Sequence, residues 1–452
     1  MEHFSNFLKH ISALVDGLLC RTPLPAEECT PVYLLPRTEV QDLAQARRAI
    51  LARHVEQLQQ PRLLSVLSPA EGHVRERETV ELVGISLSAS SDAQTATELG
   101  QWTSESAAQI DAAKLAYGAK SSPAEVDWNV VRLGLMQSTV MYLRDFESVK
   151  SAVTAAPPEA EKAVADSQQA ITAIAETWGL SFTVVCDLVD DHPAQHWFWD
   201  GPFCGAFYFP SPAPFIVVAF KGTTPSNLGE WLVDMDIAAA SAVPDPCASG
   251  PGKGKGKGVL WGAEVSRGVA GALFGGYGVK GKGTVPFDLI VMGLQDLASA
   301  LGGSAEKQVP VYVTGHSLGA SYATLFYADA LRRFSLPHSR AQPFQLIDLH
   351  TFGSPRVALS SFGLSLRSLA AQQEVHVWRV VNEGDLVPSV PPVDALEQAF
   401  EHVDAGVLVE KGKKAQGMKS ELGRGFPESW LEGGVEEHGV ESYWEAVRSA
   451  EL

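Results

Sequence analysis

The pentapeptide Gly315-His316-Ser317-Leu318-Gly319 is where the chain first suggests chemistry. A Gly-x-Ser-x-Gly match alone is weak evidence, because glycine and serine are common. Its flanks strengthen it. Val309-Pro-Val-Tyr-Val-Thr314 reads as a buried strand entering the motif, and Leu318, Tyr322, Leu325, Phe326 and Leu331 form an apolar helical stripe leaving it. A strand, a sharp turn and a helix are what a nucleophile elbow needs, with glycines permitting the turn and the serine hydroxyl held at the top of a sheet. The competing reading is a plain helix N-cap serine.

A serine is a poor nucleophile at neutral pH without a histidine base, and the base needs an orienting carboxylate. In α/β folds with such an elbow the chain order is serine, acid, histidine, so both partners are sought after Ser317. Asp385 follows a strand expected at 375–381, in the turn Val381-Asn-Glu-Gly-Asp385-Leu-Val-Pro388. Catalytic groups of parallel sheets gather at the carboxyl ends of strands, which favours it. Glu383 is the near competitor; Asp348 and Asp394 are remoter. The downstream histidines are His338, His350, His376, His402 and His438. His350 and His376 fall within expected strands, where an inward histidine is usually packed. His438, in a loop before the last expected helix, is favoured as the base over His402, which begins a strand expected at 402–410. The run Val217-Val-Ala-Phe-Lys-Gly-Thr223-Thr224 reads as a strand ending in a Gly turn. The N–H of Thr223, with that of Leu318, would hold a tetrahedral oxyanion, each donor contributing roughly 3 kcal/mol of barrier lowering.

Such a site needs a sheet to carry it. From Val309 the chain alternates: strand 309–314, helix 318–335, strand 344–351, helix 360–371, strand 375–381, which implies a mostly parallel sheet with helices on its faces. Short strands are also expected at 181–188, 203–209 and 215–220. Upstream the periodicity is helical, over 4–19, 37–60, 92–120, 123–152 and 157–178, with Ser122 read as an N-cap before Pro123. The stripe at 4–19 suits a helix docked on its own core, or less well a membrane-surface helix, since its only firm cation is Lys9. The stretch 252–283 holds two Gly/Lys-rich runs read as a mobile surface loop. It carries six cations against Glu264 alone, in a chain of formal charge −18, and would suit an anionic interface.

Several ordered segments together resemble the class 3 lipases, the fungal-lipase branch of the α/β-hydrolases. Ala219-Phe-Lys-Gly-Thr223-Thr is similar to that family's oxyanion strand and turn, and Asn227-Leu-Gly-Glu-Trp-Leu-Val-Asp234 to its lid helix. Gly315–Gly319 matches its elbow, Thr351-Phe-Gly-Ser-Pro-Arg356 the end of its next strand, and Asn382-Glu-Gly-Asp385-Leu-Val-Pro388 its acid loop. Phe400-Glu-His402-Val resembles a strand whose histidine is not catalytic, which leaves His438, followed by Tyr443, as the catalytic match. The sequence departs from the pattern in Lys221 for Arg, in Pro225 and Gly229, and in two extra residues between Asn227 and Trp231. The resemblance implies an α/β-hydrolase fold over 179–452 with a Gly/Lys-rich insertion at 250–284. It says little about the helical N-terminal region, 1–178, expected to pack on or cap that core. It implies a serine carboxylic-ester hydrolase acting on mono- or diacylglycerols through an acyl-enzyme on Ser317, with no cofactor. Trp231, Leu232 and Met235 of the lid, with Trp261, would flank an acyl chain; core packing explains each equally well. The alternatives are an aryl esterase, for instance for feruloyl esters, and a non-catalytic lipase-like scaffold that binds lipid or protein.

Composition sets outer limits. The 452 residues are 45% hydrophobic and 19% charged, an ordinary globular balance long enough for a sizeable core. The acidic excess argues against nucleic acid as a main partner. The five cysteines show no metal-site spacing, and Cys20 and Cys29 are the only close pair. No run reads as a transmembrane span, and Glu2 and Asp16 make a poor signal peptide. With no N-x-S/T site, these features lead to the expectation of a cytoplasmic protein with peripheral contact to lipid surfaces.

Overall fold

A computed structural model describes residues 90–119, 125–149, 157–192, 197–223, 239–241, 259–275, 285–335, 342–391, 400–403, 406–418 and 436–451. The helices expected at 4–19 and 37–60, the Gly/Lys-rich runs, Cys20 and Cys29 lie outside the described residues. In chain order the elements are α1 Ser90–Glu105, α2 Ala107–Gly118, α3 Trp128–Val140, α4 Pro157–Ser167 and α5 Gln169–Thr177. Then come β1 Ser181–His192, β2 Trp197–Phe209, β3 Phe215–Phe220, β4 Ala239–Ser241, β5 Glu264–Ser266, α6 Arg267–Phe274 and α7 Pro286–Ala300. The remainder is β6 Val309–His316, α8 Leu318–Phe334, β7 Phe344–Phe352, β8 Ala358–Leu359, α9 Ser360–Gln373, β9 Val377–Asn382, β10 Phe400–Glu401, β11 Gly406–Glu410, β12 Lys413–Gly417 and α10 Val440–Ser449.

Eight strands form one sheet in the order β1-β2-β3-β6-β7-β9-β11-β12. The five central strands, β3 to β11, run parallel, and the outer pairings are antiparallel. Strand β3, Phe-Ile-Val-Val-Ala-Phe, shows why. Ile216, Val218 and Phe220 enter one apolar core, while Phe215, Val217 and Ala219 enter a second on the opposite face. A strand buried on both faces must be apolar throughout rather than alternating. The first core is closed by α6, α7, α8 and α9, and the second by α1, α2, α3, α5 and α10. This is a mostly parallel sheet between two helical layers, as the alternation after Val309 leads one to expect. The described helices before Ser181 supply most of one layer. Helix α3 is buried at every position from Val130 to Val140, with Ser138 and Thr139 donating their hydroxyls to the Leu135 carbonyl.

Four expectations need correction. The helix expected at 92–120 is two helices, broken at Ser106, where Thr103 and Ser104 hydroxyls bond back to Leu99 and Gly100 carbonyls. Such back-bonding weakens a helix locally. The next begins at Trp128, capped by Asp127 accepting from the N–H of Asn129 and Val130, and ends in a tight turn at Met141–Leu143. Ser122 and Pro123 lie outside the described residues. The helix expected at 157–178 breaks at Gln168, whose side chain leaves to accept from the Val184 N–H. The strand expected at 402–410 is two strands in different sheets: β10 pairs with β8 in a small four-stranded sheet, and β11 joins the main sheet.

Just before β5, Leu260, Trp261 and Gly262 all adopt positive φ. This left-handed run is held by the buried Asp329 of α8, which accepts from the Leu260 N–H at 2.9 Å and from Arg332 and Arg333 at 2.7 and 2.6 Å. Trp261 packs edge-on to Phe362.

His350 on β7 is buried against α3, and burial lowers its pKa to about 3. In the unfolded chain it would take a proton near 6.5. The unfolded state therefore binds more protons between those values, and stability falls as pH falls through that window. Replacing His350 by Gln should flatten the fall of unfolding free energy between pH 6.5 and 4 by up to about 1.4 kcal/mol per pH unit. Urea denaturation at several pH values measures this slope.

Candidate active site

Ser317 stands between β6 and α8 with φ 59° and ψ −130°, a strained conformation for a residue with a side chain. Its surroundings leave no other path. A Cβ on Gly315 would lie 2.4 Å from the Gly319 carbonyl oxygen, and one on Gly319 would lie 2.3 Å from the Phe220 oxygen. Strand β6, helix α8 and the end of β3 are thus pressed together at a point where only glycine fits. The Ser317 N–H donates to the Phe352 carbonyl at 3.0 Å, tying the elbow to β7.

Asp385 follows β9 and is completely buried. Three donors converge on its carboxylate: His438 Nδ1 at 2.9 Å, the Tyr443 hydroxyl at 2.6 Å and the Val387 N–H at 2.9 Å. Because Nδ1 faces an acceptor it carries the proton, so Nε2 is the basic nitrogen. Ser317 Oγ and His438 Nε2 are both buried, and neither bonds another protein group. The structure does not close a hydrogen bond between them; such bonds are often long before substrate arrives. Asn382 donates to the Glu437 carbonyl at 3.0 Å, holding the loop that presents His438. Tyr443 has its pKa raised, first by burial and then by Asp385, so its hydroxyl remains a donor.

Gly353, at φ 57°, closes the floor. A Cβ there would sit 2.7 Å from His438 Cε1 and 2.9 Å from Asp385 Oδ2. On the other side, a Cβ on Gly222 would lie 2.6 Å from the His316 oxygen and 3.2 Å from Ser317 Cβ. This packs the β3 turn, in which Thr223 follows Gly222, against the elbow. Leu318 opens that helix, so its N–H belongs to the turn that lacks an intrahelical acceptor.

The other acids and histidines lie elsewhere. Asp348 accepts from the His376 N–H, and His350 is buried under α3. His402 donates from Nε2 to the Pro388 carbonyl at 2.7 Å, bracing the acid loop. Burial, then Arg379 and Arg356, hold its pKa well below the usual histidine range. Trp231, Leu232, Met235, His338 and Asp394 lie outside the described residues.

Residues 217–395 match the family model described as lipase (class 3). That segment of the chain is similar to the class 3 lipases. A triacylglycerol lipase of Ricinus communis is 25% identical over 289 residues, which are 61% of this chain and 52% of that one. The chain therefore spans about half the length of that relative. A lipase of Caenorhabditis elegans is 35% identical over 97 residues, 22% of this chain and 25% of its own. Among solved structures, a Rhizomucor miehei lipase in a propeptide complex aligns over 72% of this chain and 81% of its own, at 18% identity and a TM-score of 0.42.

Sequence reasoning missed the supporting residues. Tyr443 entered only as a neighbour of His438, and His316 only as a letter of the elbow. Gly353 stood in Thr351-Phe-Gly-Ser-Pro-Arg356 without a role, and Tyr142 carried no local signal at all.

Gly353→Ala should cost about 1–3 kcal/mol of stability from backbone strain. It should also slow labelling of Ser317 by a fluorophosphonate about 100-fold, because the added methyl displaces His438. Thermal melts and labelling time courses check both.

Proposed function

We propose that this protein is a lipase that hydrolyses carboxylic esters of acylglycerols through a covalent acyl-enzyme on Ser317. One observation carries the reading: a buried Asp385–His438 pair, with Nε2 of His438 left bare, shares the carboxyl edge of the sheet with a serine in a strained elbow. In this mechanism Nε2 takes the proton of Ser317 Oγ as the oxygen attacks the ester carbonyl. The imidazolium that forms gives Nδ1–H to Asp385, whose negative charge Tyr443 and Val387 help to hold. The N–H groups of Leu318 and Thr223 receive the oxyanion, each lowering the barrier by roughly 3 kcal/mol. His438 then protonates the leaving alcohol, and water attacks the acyl-enzyme by the same route in reverse.

The glycerolipid class is supported by the relatives, which include a triacylglycerol lipase and, over short stretches, phospholipases A1 of Arabidopsis thaliana. Mono- and diacylglycerols are the favoured substrates. The basic stretch 252–283 is the part of an otherwise acidic chain suited to meet a lipid surface.

A fluorophosphonate should label the wild type and not Ser317→Ala; equal labelling of both would refute the serine-esterase reading. His438→Ala should lower kcat about 1,000-fold or more. His402→Ala should act mainly on stability. Rates on monoacyl-, diacyl- and triacylglycerols, a diacyl phospholipid and a feruloyl ester rank the substrate classes. Fastest turnover of the feruloyl ester would replace the acylglycerol assignment.

A further inference from the structure

The mechanism above uses His438 and leaves its neighbour His316 idle, although His316 is buried in the elbow itself. Its two nitrogens are both engaged. Nε2 lies 3.0 Å from the main-chain oxygen of His438, and Nδ1 lies 2.8 Å from the Tyr142 hydroxyl. A carbonyl can only accept, so Nε2 carries a proton. Burial, and then His438, hold His316 well below the usual histidine range, so the ring is neutral and Nδ1 is bare. Tyr142 must then be the donor, and burial raises its pKa, which keeps the hydroxyl protonated. The imidazole of His316 also stacks on that of His438, with centroids 4.6 Å apart and planes 28° apart.

Tyr142 reaches this place from the N-terminal helices. It sits in the turn Met141–Leu143 that ends α3, between two buried apolar neighbours. The next residue, Arg144, forms a fully buried ion pair with Asp187 of β1 and lies 4.7 Å over the Phe203 ring of β2. Removing one member of such a pair costs several kcal/mol, so the turn is held firmly. A Cβ on Gly222 would fall 2.3 Å from the Tyr142 oxygen, so the same hydroxyl abuts the β3 turn. Lys221 stands 5.9 Å over the Tyr142 ring.

We infer that Tyr142 is a positioning residue of the ester-hydrolysis site: its hydroxyl fixes the tautomer of His316, and His316 holds the main chain and ring plane of His438. This rests on the serine-hydrolase reading of the site. The helical region before the sheet then takes part in catalysis as well as in packing. Without the Tyr142 hydroxyl, the bare Nδ1 loses its donor inside the protein. Moving the proton to Nδ1 would relieve that loss, but would turn Nε2 into an acceptor facing the His438 carbonyl oxygen, and the support would become repulsion.

The test is kinetic and spectroscopic, on the full chain with p-nitrophenyl butyrate. Tyr142→Phe is expected to lower kcat about 10-fold, with KM changed less than about 2-fold and the melting temperature nearly unmoved. His316→Gln keeps an N–H at the distal position and should retain about 10-fold more kcat than His316→Leu. In the His316→Leu background, adding Tyr142→Phe should change kcat less than about 2-fold, because the tyrosine acts through the histidine. Nitrogen NMR of histidine-labelled protein should show His316 as the Nε2–H tautomer in the wild type and a mixture in Tyr142→Phe. Equal fractional losses from Tyr142→Phe in both backgrounds, an unchanged kcat, or an Nδ1–H tautomer in the wild type would each overturn the inference. Wild-type turnover that survives Ser317→Ala would instead overturn the serine-hydrolase reading, and the NMR measurement would still decide the Tyr142–His316 contact.

Discussion

A serine cannot rest at φ 59° without compensation, and the centre of this molecule is organised around that constraint. Strain of this kind costs on the order of 1–3 kcal/mol and survives only where the surroundings forbid relaxation. Here they do so by close approach. Gly315 against Gly319, Gly319 against Phe220 and Gly222 against His316 bring three chain segments to distances that any side chain would break. Close packing and the catalytic geometry are therefore one arrangement. A methyl group at any of these glycines would force the segments around the serine apart.

The second dependence is between the two ends of the described chain. Helix α10 follows His438 and supplies Tyr443 to Asp385, so its seating sets the acid–base pair. That seating is made against the N-terminal helices: Trp444 stacks on Trp102 with centroids 4.7 Å apart, in the same apolar core as α3. The ion pairs Arg132–Glu451 and Arg448–Glu105 accompany the stack, but each has at least one partly exposed partner and contributes little beside a buried aromatic contact. Packing far from the serine thus determines where His438 can be.

The legibility of the site in the sequence follows the range of the interactions. The elbow was readable because strand, turn and helix are contiguous and their periodicities differ. Asp385 was singled out by its strand-end turn, and His438 by chain order and a loop position; the structure brings the two side chains to 2.9 Å. The parallel centre of the sheet was readable from the alternation after Val309. Helix breaks were not. Ser106 and Gln168 interrupt apolar stripes that continue beyond them, and the cause at Gln168 is an acceptor needed by Val184. The strand at 402–410 was misread because one apolar run serves two sheets. Tyr142 and Gly353 were invisible in their roles, since each matters only through residues far away in the chain, His316 in one case and His438 in the other.

The left-handed run at Leu260–Gly262 has a consequence for how such a protein can diversify. Asp329 takes its N–H from within the rigid α8, and two arginines hold the carboxylate in turn. Leu260 is therefore tied to α8 at this point, just before β5. The entropy of closing a loop grows only slowly with its length, roughly 0.6 kcal/mol per doubling. An insertion into the sequence between Ser241 and Val259 would therefore cost little, because the anchor at Leu260 still delivers the chain to β5.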